Sequence, residues 1–486
     1  MPVLTLLIVV PLLGLLAILV TPKDRAGAHR TITLWATFIP ILIVVYMLFT
    51  FNYHQPGMQF VEQYNWIPSI GVSYFVGVDG ISLALLVLSA LLGFLAALAS
   101  ASIKTREKEY YAWYMLLQAA VFGVFVSLDL ILFYVFFELV LVPMYFLIGI
   151  WGGPRREYAA LKFFIYTLLG SVIMLVGILA MYLADPAHTF NILELMKFPF
   201  DPRLQVWAFA ALWAGFAVKV PVFPLHTWLP DAHVEAPTPI SVLLAGILLK
   251  MGTYGFVRIA YPLLPQGAKH WAYAVAILGL INIVYGALVA MSQKDLKKMV
   301  AYSSINHMGF VMLGLAAGTP LAVAGAIYQM IAHGLSSGMM FLMVGQIYDR
   351  THTREIARLR GLFTSVPVIG VTLAFASLAS MGLPGLAGFI AELFVLLGSY
   401  SVYPGFVILA VLGLVVTAAF ILRMMRAVLM GEEKEEYRGL HDATRLDLAT
   451  VVPLIVLLAL WGVMPGTLFA MFNTALQQFI THMAGV

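Results

Sequence analysis

The sequence predicts an all-α polytopic membrane protein of about fourteen transmembrane helices, and three observations lead there. Of 486 residues, 62% are hydrophobic and only 10% charged, with a mean hydropathy of +0.97. Soluble domains carry about 25% charged residues. Apolar runs of about 20 residues, the length that crosses a bilayer, recur along the whole chain. Lys and Arg crowd into alternate loops, as the positive-inside rule requires.

The first five apolar segments fall near 3–20, 31–51, 79–102, 111–128 and 130–150. The first lacks a basic leader and is followed by Lys23 and Arg25, so it reads as a retained span and not a cleaved signal. The next five lie near 158–184, 204–224, 239–262, 271–292 and 299–317, and the last four near 321–347, 363–398, 404–430 and 447–471. Loops near 52–78 and 185–203 leave room for short surface elements. Most of the 27 Lys and Arg sit in odd-numbered loops: Lys23, Arg25 and Arg30 after the first segment, for example, and Lys294, Lys297 and Lys298 after the ninth. Even-numbered loops carry only Lys197, Arg203 and Lys269. Odd loops are therefore expected in the cytoplasm and both termini outside, in a bacterial plasma membrane. The connection from Leu225 to Pro239 has no Lys or Arg and is silent on topology. Asp79 and Asp129 stand at span edges, as helix caps or external rim charges. The run GEEKEEYRGLHD, Gly431 to Asp442, reads as a solvated cytoplasmic loop with helix ion pairs.

Several function classes fall away. The net charge of +4 follows from topology and does not point to nucleic acid. With no cysteine there is no disulfide and no cysteine-ligated zinc or iron–sulfur site. No phosphate loop or dinucleotide fingerprint is present, so redox or nucleotide chemistry belongs to another chain.

Two segments are interrupted. The seventh breaks at Pro221 and Pro224, just after Lys219. The twelfth, FASLASMGLPGLAGFIAELFVLLG, breaks at Gly382, Pro384, Gly385 and Gly388, just before Glu392. Paired broken helices point to an inverted-repeat transporter. They lie five spans apart, and an odd offset inverts the second unit. The expected division is 1–110 for helices 1–3, 111–262 for a first five-helix repeat, 263–430 for its inverted partner, and 431–486 for a cytoplasmic loop and helix 14.

Ionisable groups lie deep in the apolar segments. Lys219 and Lys250 flank a proline-rich joint that also holds His226, Asp231, His233 and Glu235. An ammonium at bilayer depth costs about 3 kcal/mol or more and faces a wet or protein-lined interior. The plainer alternative is a snorkelling lysine beside a simple kink. Glu138, in LILFYVFFELVLVPMYF, has apolar sequence on both sides, and Lys219 is its natural partner. Separating such a pair changes the proton affinity of both members, which makes it a switch; the alternative is a fixed ion pair that sets helix packing. Lys250 has no carboxylate on its own segment, and a desolvated lysine can load and release a proton. His307 and His333 are either relays or helix–helix hydrogen bonds. With Glu392 these residues form a polar axis, which implies ordered water and proton movement.

The segments FFELVLVPMYFLIGIWGGPRREYAALKFFIYTLLGS, KVPVFPLHTWLPDAHVEAPTP, LLAGILLKMGTYGFVRI, DLKKMVAYSSINHMGF and MGLPGLAGFIAELFVLLG resemble the antiporter-like subunits of respiratory complex I, and the M type (mitochondrial chain 4) in particular. The resemblance covers most of the chain and is weakest at the first two spans and the C-terminus. It implies fourteen helices with two inverted five-helix units. It also implies proton-transfer roles for the Glu138–Lys219 pair, Lys250, His307, His333 and Glu392, with glutamate at 392 the M-type choice. The implied function is proton translocation driven by quinone reduction elsewhere in an NADH:quinone oxidoreductase. FMN, iron–sulfur clusters and quinone would be held on or between other subunits, with no cofactor or metal on this chain. Implied partners are L- and N-type neighbours, small membrane subunits, the lipid bilayer and protons. The alternative is a subunit of a multisubunit sodium/proton antiporter, which Glu392 and the M-like loops argue against. A haem anchor through His307 and His333 is disfavoured by the lysines on the same axis.

The charge pattern places the N-terminus and the loop from Thr351 to Gly361 on opposite membrane faces. Cysteines introduced at each, in a chain that has none, should react with an impermeant thiol reagent from opposite sides; labelling of both from one side rejects this topology.

Overall fold

In hydrocarbon every backbone N–H and C=O must be satisfied within the protein, and a helix does this within one segment. The computed structural model describes residues 2–484, and it is helical nearly throughout. The first half comprises α1 (Val3–Val20), α2 (Gly27–Thr50), α3 (Gly80–Ser102), α4 (Glu107–Val126), α5 (Leu130–Trp151), α6 (Arg156–Ala184), the broken pair α7 (Pro202–Lys219) and α8 (Trp228–Glu235), and α9 (Thr238–Leu263). The second comprises α10 (Pro265–Ser292), α11 (Leu296–Ala317), α12 (Pro320–Thr351), the broken pair α13 (Pro367–Ser380) and α14 (Ala387–Tyr400), α15 (Pro404–Leu429), α16 (Arg445–Val463) and α17 (Pro465–Ala484). Eleven helices among the described residues are long and apolar enough to cross a membrane. With α4 and the two broken pairs there are fourteen crossings.

The crossings form two inverted five-helix units, α4–α9 and α10–α15. Helix α6 packs along α7, and five crossings later α12 packs along α14. Helices α9 and α12 are buried along their central stretches. Peripheral helices turn apolar side chains outward, among them Phe49, Val176 and Leu412, which matches a lipid surround and not water.

Close contact between helices depends on small residues. Between α10 and α11, Gly279 faces Gly309, and a methyl at Gly309 would stand 2.6 Å from the Gly279 carbonyl oxygen. Nearby, Asn306 donates to the Ile283 carbonyl at 2.6 Å. A buried ion pair ties α3 to α9: Arg258 Nη2 lies 2.5 Å from Asp79 Oδ2, while Asp79 Oδ1 caps α3 by accepting from Ser82 N.

Three expectations are corrected. The connection Leu225 to Pro239 is largely helix α8, with Trp228 and His233 buried; Pro230 falls in its first turn, where no intrahelical N–H is needed. Gly388 belongs to α14, and the second break spans 381–386 with Gly382 and Gly385 at positive φ. The last span stops at Val463, and a further helix, α17, begins at Pro465. Of the two readings offered for Asp79 and Asp129, the structure has the helix cap: Asp79 is buried against Arg258, and Asp129 is buried and accepts from Ile131 N and Leu132 N.

The 52–78 loop carries an antiparallel hairpin, β1 (Gln59–Ile67) and β2 (Val72–Val78), with Asn65 opposite Ser73. Helix α17 lies against this loop: Thr474 Oγ1 donates to the Tyr53 carbonyl at 2.5 Å, and Gln478 Oε1 accepts from Gly57 N at 3.0 Å. Its buried stripe is Leu468, Phe472, Leu476 and Phe479, the spacing of one helix face.

Gly309→Leu should therefore drive α10 and α11 apart, with overpacking of about 1–3 kcal/mol or more. Gly405→Ala, with open space around its Cβ position, should be silent. Yield and thermal melting of the assembled complex measure both; equal behaviour of the two variants would contradict the packing account.

Candidate functional site

The central helices bring four of the expected site residues into contact. A π turn over Leu244–Leu248 widens α9 just before Lys250. Lys250 Nζ donates to the Ala245 carbonyl at 2.6 Å and lies 2.6 Å from His333 Nδ1 on α12. One proton is thus shared between an amine and an imidazole, whichever holds it. When Nδ1 accepts, the ring proton sits on Nε2, which has no hydrogen-bond partner among the described residues. The His333 ring centroid is 5.4 Å from that of His307 on α11. His307 Nδ1 lies 3.2 Å from Glu392 Oε1 on α14, and Nε2 lies 3.3 Å from Ser380 Oγ at the end of α13. Gln329 Nε2 approaches His307 Nδ1 at 3.5 Å. The break in the second unit thus delivers Ser380 from one side and Glu392 from the other to a single imidazole. Gly382, inside that break, leaves no room for a side chain beside the Glu392 carboxyl.

The other two residues stand apart. Lys219 is the last residue of α7 and is buried. Its Nζ sits 4.9 Å from the centre of the Phe137 ring and 5.8 Å from that of Phe163, a cation–π placement. Glu138 is half-buried on α5. No ion pair joins Glu138 and Lys219 within 4.0 Å, so the expected pair is not closed in this structure. Lys219 and the centre meet through Gly252 on α9, where a methyl would stand 3.1 Å from Lys219 Cβ.

Residues in the joint form a second layer. Asp231 pairs with Lys162 at 2.7 Å and Arg155 at 3.4 Å. Glu235 accepts from Arg155 N at 3.0 Å. His226 Nε2 lies 3.3 Å from Tyr285 OH. His233 stacks on Phe341 at 4.4 Å, with neither ring nitrogen hydrogen-bonded.

Sequence reasoning missed part of this. Lys297, read as a cytoplasmic loop cation, is buried in the first turn of α11, and its Nζ donates to the Ala236 carbonyl at 2.5 Å. The spacing of Lys297, Ser304 and His307 on one helical face was the available signal. Gln329, one turn before His333, carried a similar one.

Comparison with known proteins identifies the family. Residues 127–418 match the family model described as NADH:quinone oxidoreductase/Mrp antiporter, TM, and residues 6–128 match NADH-ubiquinone oxidoreductase chain 4, amino terminus. The chain is 44% identical over 467 residues to NADH-quinone oxidoreductase subunit M of Rhodobacter capsulatus, covering 93% of this chain and 90% of that one. It is 40% identical over 491 residues to subunit M of Rickettsia conorii, covering 99% of each. A chain of respiratory complex I from Thermus thermophilus with bound NADH superposes with a TM-score of 0.91 at 32% identity, over 99% of this chain and 100% of that one. The chain belongs to the NADH-quinone oxidoreductase subunit M family.

Proposed function

We propose that this chain is a proton-translocating membrane-arm subunit of a complex I-type NADH:quinone oxidoreductase. Protons move along Glu138, Lys219, Lys250, His333, His307 and Glu392, and quinone reduction in other subunits drives them. The observation that carries this reading is the buried row in which Lys250 lies in hydrogen-bond contact with His333 and His307 with Glu392, the two histidine ring centroids being 5.4 Å apart. Each member exchanges a proton in a different chemical form (amine, imidazole, carboxylic acid), so a proton can pass without leaving a buried charge unpaired. The Glu138–Lys219 pair is the control element: closing or opening it changes the charge beside Lys250. The units 111–262 and 263–430 act as two half-paths that meet at Lys250.

With no cysteine, the chain offers no thiolate ligand for an iron–sulfur cluster, so FMN, iron–sulfur clusters and quinone are assigned to other subunits. Its outward apolar surface supports lipid and L- and N-type neighbours as partners. The loop charges support residence in a bacterial plasma membrane with both termini outside.

Glu138→Gln should impair pumping more than Glu138→Asp, because the switch needs a negative charge near Lys219. Proton translocation in vesicles from assembled complexes checks it; near-normal pumping in both variants would make Glu138 structural.

Lys250→Arg should keep the charge yet lose pumping by on the order of ten-fold or more, since a guanidinium does not release its proton at accessible pH. Lys250→Ala should be similarly defective at equal assembly. A Lys250→Arg complex pumping at the wild-type proton-to-electron ratio would assign Lys250 a static electrostatic role instead.

A further inference from the structure

Proline at 221 and 224 removes two N–H donors, and the helix that ends at Lys219 leaves backbone groups to be satisfied elsewhere. Four groups around the break find partners. The Ala217 carbonyl takes Val222 N at 2.9 Å. The Val218 carbonyl takes the indole N–H of Trp228 at 2.9 Å. The Pro221 carbonyl accepts from Asn282 Nδ2 at 3.2 Å, and Phe223 N donates to Asn282 Oδ1 at 2.8 Å. Trp228 belongs to the broken helix itself. Asn282 comes from α10, the first helix of the other five-helix unit, and it is fully buried.

We infer that Asn282 is a positioning residue: from the second unit, it sets the geometry of the break in the first and so the placement of Lys219. Its one carboxamide supplies both a donor and an acceptor, two and four residues beyond Lys219, and so pins the stretch that decides where α7 ends. Lys219 is anchored only by its backbone and the rings of Phe137 and Phe163, so the register of this stretch decides its distance from Glu138.

The second unit reaches the same point. The neighbouring carbonyl on α10, that of Ile283, accepts from Asn306, which precedes His307 in sequence and takes a hydrogen bond from Thr417 on α15 at 3.4 Å. A shift of α11 that moves His307 therefore bears on α10 one residue from the amide holding the first break. The break is the stretch on which such coupling would act. Among the described residues no side chain hydrogen-bonds the second break as Asn282 does the first: there Gly462 of α16 packs directly on the Gly385 carbonyl. The coupling between the units is thus carried at the first break.

This inference rests on the proton-transfer reading of Lys219, and the test separates the two. Asn282→Leu keeps the branching and removes both hydrogen bonds; Asn282→Ala serves the same comparison if the larger leucine does not assemble. In assembled complex, hydrogen–deuterium exchange should rise at residues 217–227 by roughly two- to ten-fold, the worth of one buried hydrogen bond, and not along α10 and α11. Protons translocated per electron should fall, and Asn282→Leu combined with Lys219→Met should be no worse than Lys219→Met alone. Unchanged exchange at the break, or a full additional loss in the double variant, would overturn the role of Asn282. Wild-type pumping by Lys219→Met would instead overturn the proton-transfer reading, and the exchange result would still decide whether Asn282 holds the break.

Discussion

A backbone group that loses its partner inside a bilayer has no water to turn to, and the rest of this structure follows from that constraint. It makes every crossing helical, and it makes each interruption of a helix a place where other parts of the protein must intervene. At the first interruption, two side chains, the Trp228 indole and the Asn282 carboxamide, take up the freed groups. At the second, glycines with positive φ at 382 and 385 let the chain turn within six residues. Both interruptions adjoin an ionisable side chain, Lys219 in one case, and Glu392, reached through His307 and Ser380, in the other. The opening that costs backbone hydrogen bonds is also the opening that admits a charge.

Buried charge obeys the same rule, and the protein answers it in two chemically different ways. Arg258 and Asp79 form a closed pair at 2.5 Å, with Tyr254 OH accepting from Nε and Ser82 Oγ from Nη2 of the guanidinium. Arginine holds its proton at every accessible pH, so this pair fastens α3 to α9 and carries nothing. Lys250 stands on the same α9, and with His333 on α12, His307 on α11 and Glu392 on α14 it makes a buried row of side chains whose chemistry allows proton exchange. One bundle thus holds both a static pair and a row of exchangeable groups. Glu138 and Lys219 are not locked together, with no ion pair between them within 4.0 Å.

The packing that holds the row is correspondingly tight. Helices α9 and α12 are buried on all sides, so the lysine and histidine they carry cannot swing to lipid or to bulk water. Their approach depends on paired small residues: a methyl at Gly334 would stand 2.9 Å from the Gly246 carbonyl oxygen. A rigid frame of this kind lets sub-ångström shifts in the broken segments matter, because the central helices do not yield to absorb them.

Composition and apolar run length alone were enough to determine that this is a helical membrane protein, how many times it crosses, and where its two helices break, because hydrocarbon imposes those features on any sequence that spans it. The six ionisable residues deep in the apolar segments were equally legible, since a charge in an apolar run is costly enough to stand out. Tertiary structure decided the rest. Helix α8 was hidden because a stretch with four polar or charged residues among prolines looks like a loop until its burial between other helices is seen. Helix α17 was hidden because only one of its faces is apolar, so no window of it resembles a span. Lys297 read as a solvated loop charge because its depth depends on the Ala236 carbonyl lying above it, a contact across 61 residues. Which axis residues touch, Lys250 with His333 but not Glu138 with Lys219, and that Asn282 reaches across to the first break, are matters of helix rotation and register. Those are set by which side chains fit between neighbouring helices, and that information resides in pairs of distant residues and not in any local run of sequence.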